Sequence, residues 1–286
     1  MKASAAARAV FASMWIGWQR EIGWANPGLG LLLIAVAPAS TVLSVALVFW
    51  VGASNGGTPN ALALGGGLAY VIVGASLYAQ VGQYAWVPNS AISEGKNTGL
   101  FTQVYMTPAS SVPYLIGRCL ASFLDSLPVV AISFVLAYLA SSSLLGERLP
   151  LILSPLSILM VVVAMLASFP AAVGLGLILG AYSLFASRLE WALPSYIAGA
   201  LMIFSEALFP LSVLPWPLSA VGQAVPFTYL MRASRVALLD PSGTGYLVNL
   251  GECVVTSVAT LILGLVAYRW GESRARAKGL LDRKTR

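Results

Sequence analysis

Apolar residues run through this chain in stretches much longer than one face of a soluble helix, and polar residues gather in short intervals between them. Runs at 29–50, 62–87, 112–140, 149–187, 191–209 and 246–268 each hold about the 20 residues that a helix needs to cross the hydrocarbon core. The alternating segments of about 10 residues that mark an outer-membrane barrel are absent. The pattern therefore predicts an all-α integral membrane protein with six transmembrane helices. Composition agrees: 58% of residues are hydrophobic and 9% charged, against about a quarter charged in soluble domains.

The intervals carry the detail. At the start, Lys2 and Arg8 precede an apolar patch as in a signal peptide, but Arg20 and Glu21 interrupt it early. Val10, Phe11, Met14, Trp15, Trp18 and Ile22 recur at helical spacing, which predicts an interfacial helix within 1–27 ending at Asn26-Pro27-Gly28. Six spans then fill 28–270, a basic cytosolic tail occupies 271–286, and the whole forms one transmembrane domain. In the second span Gly66, Tyr70, Gly74, Tyr78, Gly82 and Trp86 alternate small and aromatic every fourth residue, a winding ribbon suited to a close helix crossing or to a ligand surface.

The fourth run, 149–187, carries no charge and is long for one span. It reads as a single kinked helix with a lead-in outside the membrane, with Pro155 near its start, Pro170 inside it, and Gly176 and Gly180 as a small-residue packing pair. The fifth is short and broken by Pro210, and the proline-rich stretch at 210–226 cannot be regular helix. Irregular backbone at membrane depth needs protein or a wet cavity around it, so a re-entrant region is expected between spans five and six. A short amphipathic helix at 228–239 follows, placed on the outside.

Charge sets the orientation. With both ends inside, thirteen of the 16 Lys and Arg residues are cytoplasmic, and only Arg148, Arg232 and Arg235 remain outside. The net charge of +6 is thus an orientation signal rather than a nucleic-acid footprint. The chain has no histidine and two cysteines, Cys119 and Cys253, each in an apolar run. Proton shuttles through imidazole, the commonest zinc ligand and Ser-His or Cys-His nucleophile pairs are excluded, and a disulfide framework has no support.

One interval, 90–111, is polar without being only a turn. Gly99, Thr107, Pro108 and Ser110 match the G-T-L-E … T-P-x-S pattern of the membrane subunits of type-2 ABC exporters. Later, 204–215 (FSEALFPLSVLP), 225–229 (VPFTY) and Arg235 match that family's F-x-x-x-x-F-P … L-P … P-x-T-Y … R pattern. The chain resembles this ABC-2-type permease family in topology along its length and in residues over about an eighth of it. Thr102 stands where the family has its glutamate, and Asn97 stands at an acidic position, with Glu94 close by.

The resemblance implies a cytosolic coupling helix at about 94–106, between spans two and three, docked on a separate ATP-binding subunit through Glu94, Lys96, Gly99, Phe101, Tyr105, Thr107 and Pro108. It implies a second permease copy, a prokaryotic cell membrane as location, and ATP with Mg on the partner, this chain holding no cofactor itself. The chain's own lack of a phosphate cradle fits: its single Gly-Lys pair, Gly95-Lys96, is followed by Asn97 and lacks the earlier glycine of a P-loop. The spans that line the family's pore correspond here to the second and fifth, so Tyr78, Gln80, Gln83, Tyr84 and Phe209 are expected on an amphiphilic substrate path, with Glu206 at its outer end.

Asp125, Glu206 and Glu252 are ionisable residues inside spans, where charge is costly and functional roles concentrate. They leave an ion-coupled secondary transporter as an alternative to a non-enzymatic permease. A membrane-embedded enzyme of lipid metabolism is the third reading, weakened by the absent histidines and by the lack of a clustered acidic motif.

Overall fold

The computed structural model describes residues 3–21, 26–55, 61–97, 111–143, 149–185, 192–240 and 243–277. Every regular element among them is helical. In chain order these are α1 (Ala3–Glu21), α2 (Pro27–Asn55), α3 (Ala61–Asn97), α4 (Val112–Ser143), α5 (Pro155–Phe185), α6 (Leu193–Phe204), a 3₁₀ turn (Leu211–Val213), α7 (Trp216–Ala224), α8 (Pro226–Leu239) and α9 (Tyr246–Ala277).

Four of them are long and apolar enough to cross a membrane: Gly28–Gly52 within α2, then α4, α5 and α9. At 31 or 32 residues, the last three reach about 47 Å, more than the roughly 30 Å hydrocarbon core, so each projects beyond it or tilts. The chain is an all-helical, membrane-embedded protein.

Side-chain size is sorted the membrane way. The buried positions of α5 are mostly Ala, Gly and Ser, while Leu156, Ile158, Leu159, Val163 and Leu166 face outward. Burying a large apolar side chain gains little when the surroundings are hydrocarbon, so close backbone approach takes over as the source of contact. A close crossing joins α5 to α9. A Cβ on Gly174 would lie 2.4 Å from the carbonyl oxygen of Thr260, and one on Gly264 would lie 2.3 Å from that of Gly174. The expected pair contributes through Gly180, which packs against Ile92 and Tyr268.

Helix α3 is the central strut. It packs against α2, α4, α5, α6 and α8, and every residue from Val71 to Leu77 is buried. It runs on past the expected end of its span near 87 as far as Asn97. Of its small-aromatic ribbon, Gly74 makes the close approach, Tyr70 and Tyr78 make specific contacts, and Trp86 is exposed.

Helix α1 exists as expected, but its contact face differs. Ser13 and Gly17 meet Gly117 and Ala121 of α4, whereas Phe11 and Trp15 of the apolar stripe point outward, as they would toward lipid. Helix α8 departs further: it is no surface helix. Its Phe227, Leu230, Met231 and Ala233 sit in the main core cluster, packed against α3, α5 and α9. Residues 149–154 form the non-helical lead-in, and α5 continues unbroken through Pro170. Residues 271–277 of the basic tail continue α9 as helix.

Candidate functional site

The break after α6 gathers buried polar side chains inside the bundle. Helix α6 stops at Phe204, six residues before Pro210, consistent with the restrictions that a proline imposes on the turn preceding it. Glu206 then takes φ +59°, the one positive φ at a non-glycine among the described residues. That conformation costs roughly 1–2 kcal/mol and needs support from outside. The support comes from the Glu206 carboxylate itself. Its Oε1 accepts from the Leu211 amide at 2.9 Å and from Arg232 Nη2 at 2.8 Å, and its Oε2 accepts from Arg232 Nε at 2.8 Å. This bidentate pair ties the break to α8.

A helix end leaves carbonyls without partners, and in lipid water cannot serve them. Here α8 supplies the donors. Thr228 Oγ1 lies 2.9 Å from the carbonyl oxygen of Phe204 and 2.7 Å from that of Gly222. Arg235 Nη2 donates to Ala207 at 2.9 Å and to the carbonyl of Tyr70 on α3 at 3.3 Å, and its guanidinium sits 3.4 Å from the Tyr70 ring centroid. Gly74 makes room: a Cβ there would lie 1.8 Å from the Ala207 oxygen.

Electrostatics follow the geometry. The Glu206 hydrogen bonds hold the Arg232 guanidinium above its ordinary value. Burial pushes Arg235, only 6% exposed, down to about 10, with the Tyr70 ring and Glu206 opposing the shift; it remains charged at neutral pH.

Thr228, Arg232 and Arg235 were legible only in part. The sequence places both arginines among outside charges, yet the three fall at i, i+4 and i+7, one stripe of a helix, and that spacing was the available signal. Glu206, the candidate for the outer end of a substrate path, is buried and engaged by Arg232 and Leu211 in this conformation.

The remaining path candidates separate. Tyr78 donates to the carbonyl of Ala198 at 2.7 Å and so ties α3 to α6. Gln80 and Tyr84 are buried on another side of α3 and hydrogen-bond to each other, and Tyr84 also packs against Phe227. Gln83 and Phe209 are half-buried. Asp125 is buried in α4 at 4% exposure, whereas Glu252 is exposed on α9.

The other end of α3 meets a second polar centre. Ser111, immediately before α4, shares a hydrogen bond of 3.0 Å with the Tyr268 hydroxyl and donates to Glu272 Oε1 at 3.2 Å. Arg276 Nη2 donates to the same oxygen at 2.7 Å. Ile92, Leu115, Cys119, Leu177, Leu184 and Tyr268 pack around them, so α3, α4, α5 and α9 share one apolar base. Glu94 and Lys96 belong to the last turn of α3. Gly99, Phe101, Tyr105, Thr107 and Pro108 lie outside the described residues, as does most of the expected coupling helix.

Among the described residues no group of three or more acids or cysteines could hold a metal ion. No family model and no curated protein matches the chain.

Proposed function

We propose that this chain is the permease subunit of an ATP-driven exporter of amphiphilic substrates, a non-enzymatic membrane domain worked by a separate ATP-binding subunit. In this reading α2, α3, α4, α5, α6 and α9 are six spans with both termini cytoplasmic, α1 lies in the interface, and 210–226 is a re-entrant region. Two copies enclose the path in a prokaryotic cell membrane, and residues 94–106 dock on the partner, which binds ATP and Mg.

The observation that carries the reading is the way both flanks of 98–110 are built into one base. Ile92 precedes the segment and packs on Gly180; Ser111 follows it and bonds to Tyr268 and Glu272 of α9. A displacement imposed on that segment would therefore act on four helices together. The Arg235 contact at Tyr70 lies 22 residues back along α3 from Ile92, about 33 Å at 1.5 Å per residue. A rigid strut of that length is suited to carry motion from the base to the break.

Reconstituted vesicles test the class. Export should require ATP and persist when ionophores collapse every ion gradient. Transport that ignores ATP and stops with the gradient would favour the ion-coupled reading, which rests on the buried Asp125 at mid-span in α4.

A further inference from the structure

A cavity of about 400 Å³ opens between α4 and α5. These two helices meet only sparingly, and the gap between them reaches inward to Val73, Ser76 and Leu77 of α3 and to Leu238 at the end of α8. Ser76 supplies the one polar side chain of its lining. The mouth is formed by Val135, Leu153 and Ile158, all exposed, and it is continuous with the exposed Leu136 and Leu139 of α4 and Leu156 and Leu159 of α5. Apart from Leu153 in the lead-in, that belt belongs to two of the helices long and apolar enough to cross a membrane.

We infer that this cavity binds one acyl chain of a bilayer lipid, entering sideways from the membrane, with the headgroup left outside. The volume lies within the roughly 300–1,000 Å³ of ligand pockets. Water is a poor occupant, because a buried water needs about 2–4 polar partners and the lining offers one hydroxyl. A void would forfeit dispersion contact along every wall. The medium at the mouth is hydrocarbon, so a lipid tail is the ligand at hand. No charged or amide side chain lines the cavity to hold a headgroup, so selection acts on the tail. Leu238 lies one turn from Arg235, and an occupying tail therefore props the inner end of α8. None of this depends on the chain being an exporter.

The full chain would be placed in phosphatidylcholine vesicles containing a minor fraction of phosphatidylcholine with a diazirine near the end of one tail, then irradiated and mapped by peptide mass. Label should concentrate on Val130, Phe134 and Val162, at about tenfold the density on the outward face of α9 around Val255 and Leu263. Ala131→Phe or Val162→Phe, which fill the cavity, should lower the cavity label about tenfold and leave the α9 label unchanged. Equal labelling of the two faces overturns the inference, as does cavity labelling that persists in folded filled variants. So does efficient cross-linking of Val135→Cys to a second copy, which would make the face a protein contact. Should both filled variants fail to fold, the comparison of the two faces in the unaltered protein decides alone.

Discussion

The guanidinium of Arg235 sits 3.4 Å from the centroid of the Tyr70 ring and at the same time donates a 2.9 Å hydrogen bond to the carbonyl of Ala207. One side chain thus joins α3, the break after α6, and α8. A lysine keeps the charge but has neither the planar face for the ring nor the fork for two carbonyls. Arg235→Lys should cost about 2 kcal/mol and lower the unfolding midpoint in detergent by about 5 °C. An unchanged midpoint would mean that the stacking contributes nothing.

The Glu206–Arg232 pair predicts non-additivity. Glu206→Gln and Arg232→Gln each break the same bidentate contact, so the second substitution should remove little once the first is made. Arg232 is about one-third exposed, and solvent screens the pair, so the coupling expected from a double-mutant cycle is about 1 kcal/mol. Simple additivity of the two losses would show that the groups act independently.

Close approach predicts opposite signs for two glycines on facing helices. Gly174→Ala drives a methyl group to 2.4 Å from the Thr260 carbonyl oxygen and should destabilise the protein by about 1–3 kcal/mol. Gly251→Ala on α9 has nothing within 4 Å and should be neutral or stabilising, by up to about 1 kcal/mol. Thermal unfolding of the two variants side by side checks both, and equal losses would contradict the crossing.

The base predicts a functional split. Ser111→Ala and Tyr268→Phe each remove one hydroxyl from the network shared with Glu272 while leaving the apolar packing in place. Gly99→Val and Pro108→Ala alter the segment between the flanks. These variants should insert normally and hydrolyse ATP with the partner, yet transport several-fold less per ATP consumed. Normal coupling in all four would reduce 90–111 to a linker.

Much of the fold was legible because hydrocarbon imposes a coarse pattern. The runs at 112–140 and 149–187 correspond to α4 and α5. The proline-rich stretch after Phe204 is broken as expected, but it is not irregular throughout, because Trp216–Ala224 forms the short helix α7 with Pro217 in its first turn, where a missing amide costs nothing. Burial of polar side chains was harder to read. Arg232 and Arg235 look like surface charges in one dimension, and only the folded break places the Glu206 carboxylate in front of Arg232 and the Ala207 carbonyl in front of Arg235. For the same reason Glu206 reads as a candidate for substrate contact until its partners are in place. The resemblance puts Gln80 and Tyr84 on an amphiphilic path, whereas here they turn into the core and hydrogen-bond to each other. Size sorting was also hidden: Gly174 and Gly264 form the close crossing of α5 with α9, while the spacing of Gly176 and Gly180 draws attention to the residues that follow.

The central claim is that a separate ATPase drives this chain through the segment between α3 and α4. Purification of the tagged full-length protein from its native membrane in mild detergent tests it most directly, with the bound soluble protein and its ATP turnover measured together. The account predicts a co-purifying soluble subunit, equal in amount to this chain, that hydrolyses ATP and is lost when 94–106 is replaced by a flexible linker of the same length. A lone membrane protein that carries out gradient-driven transport with no ATPase attached would contradict it.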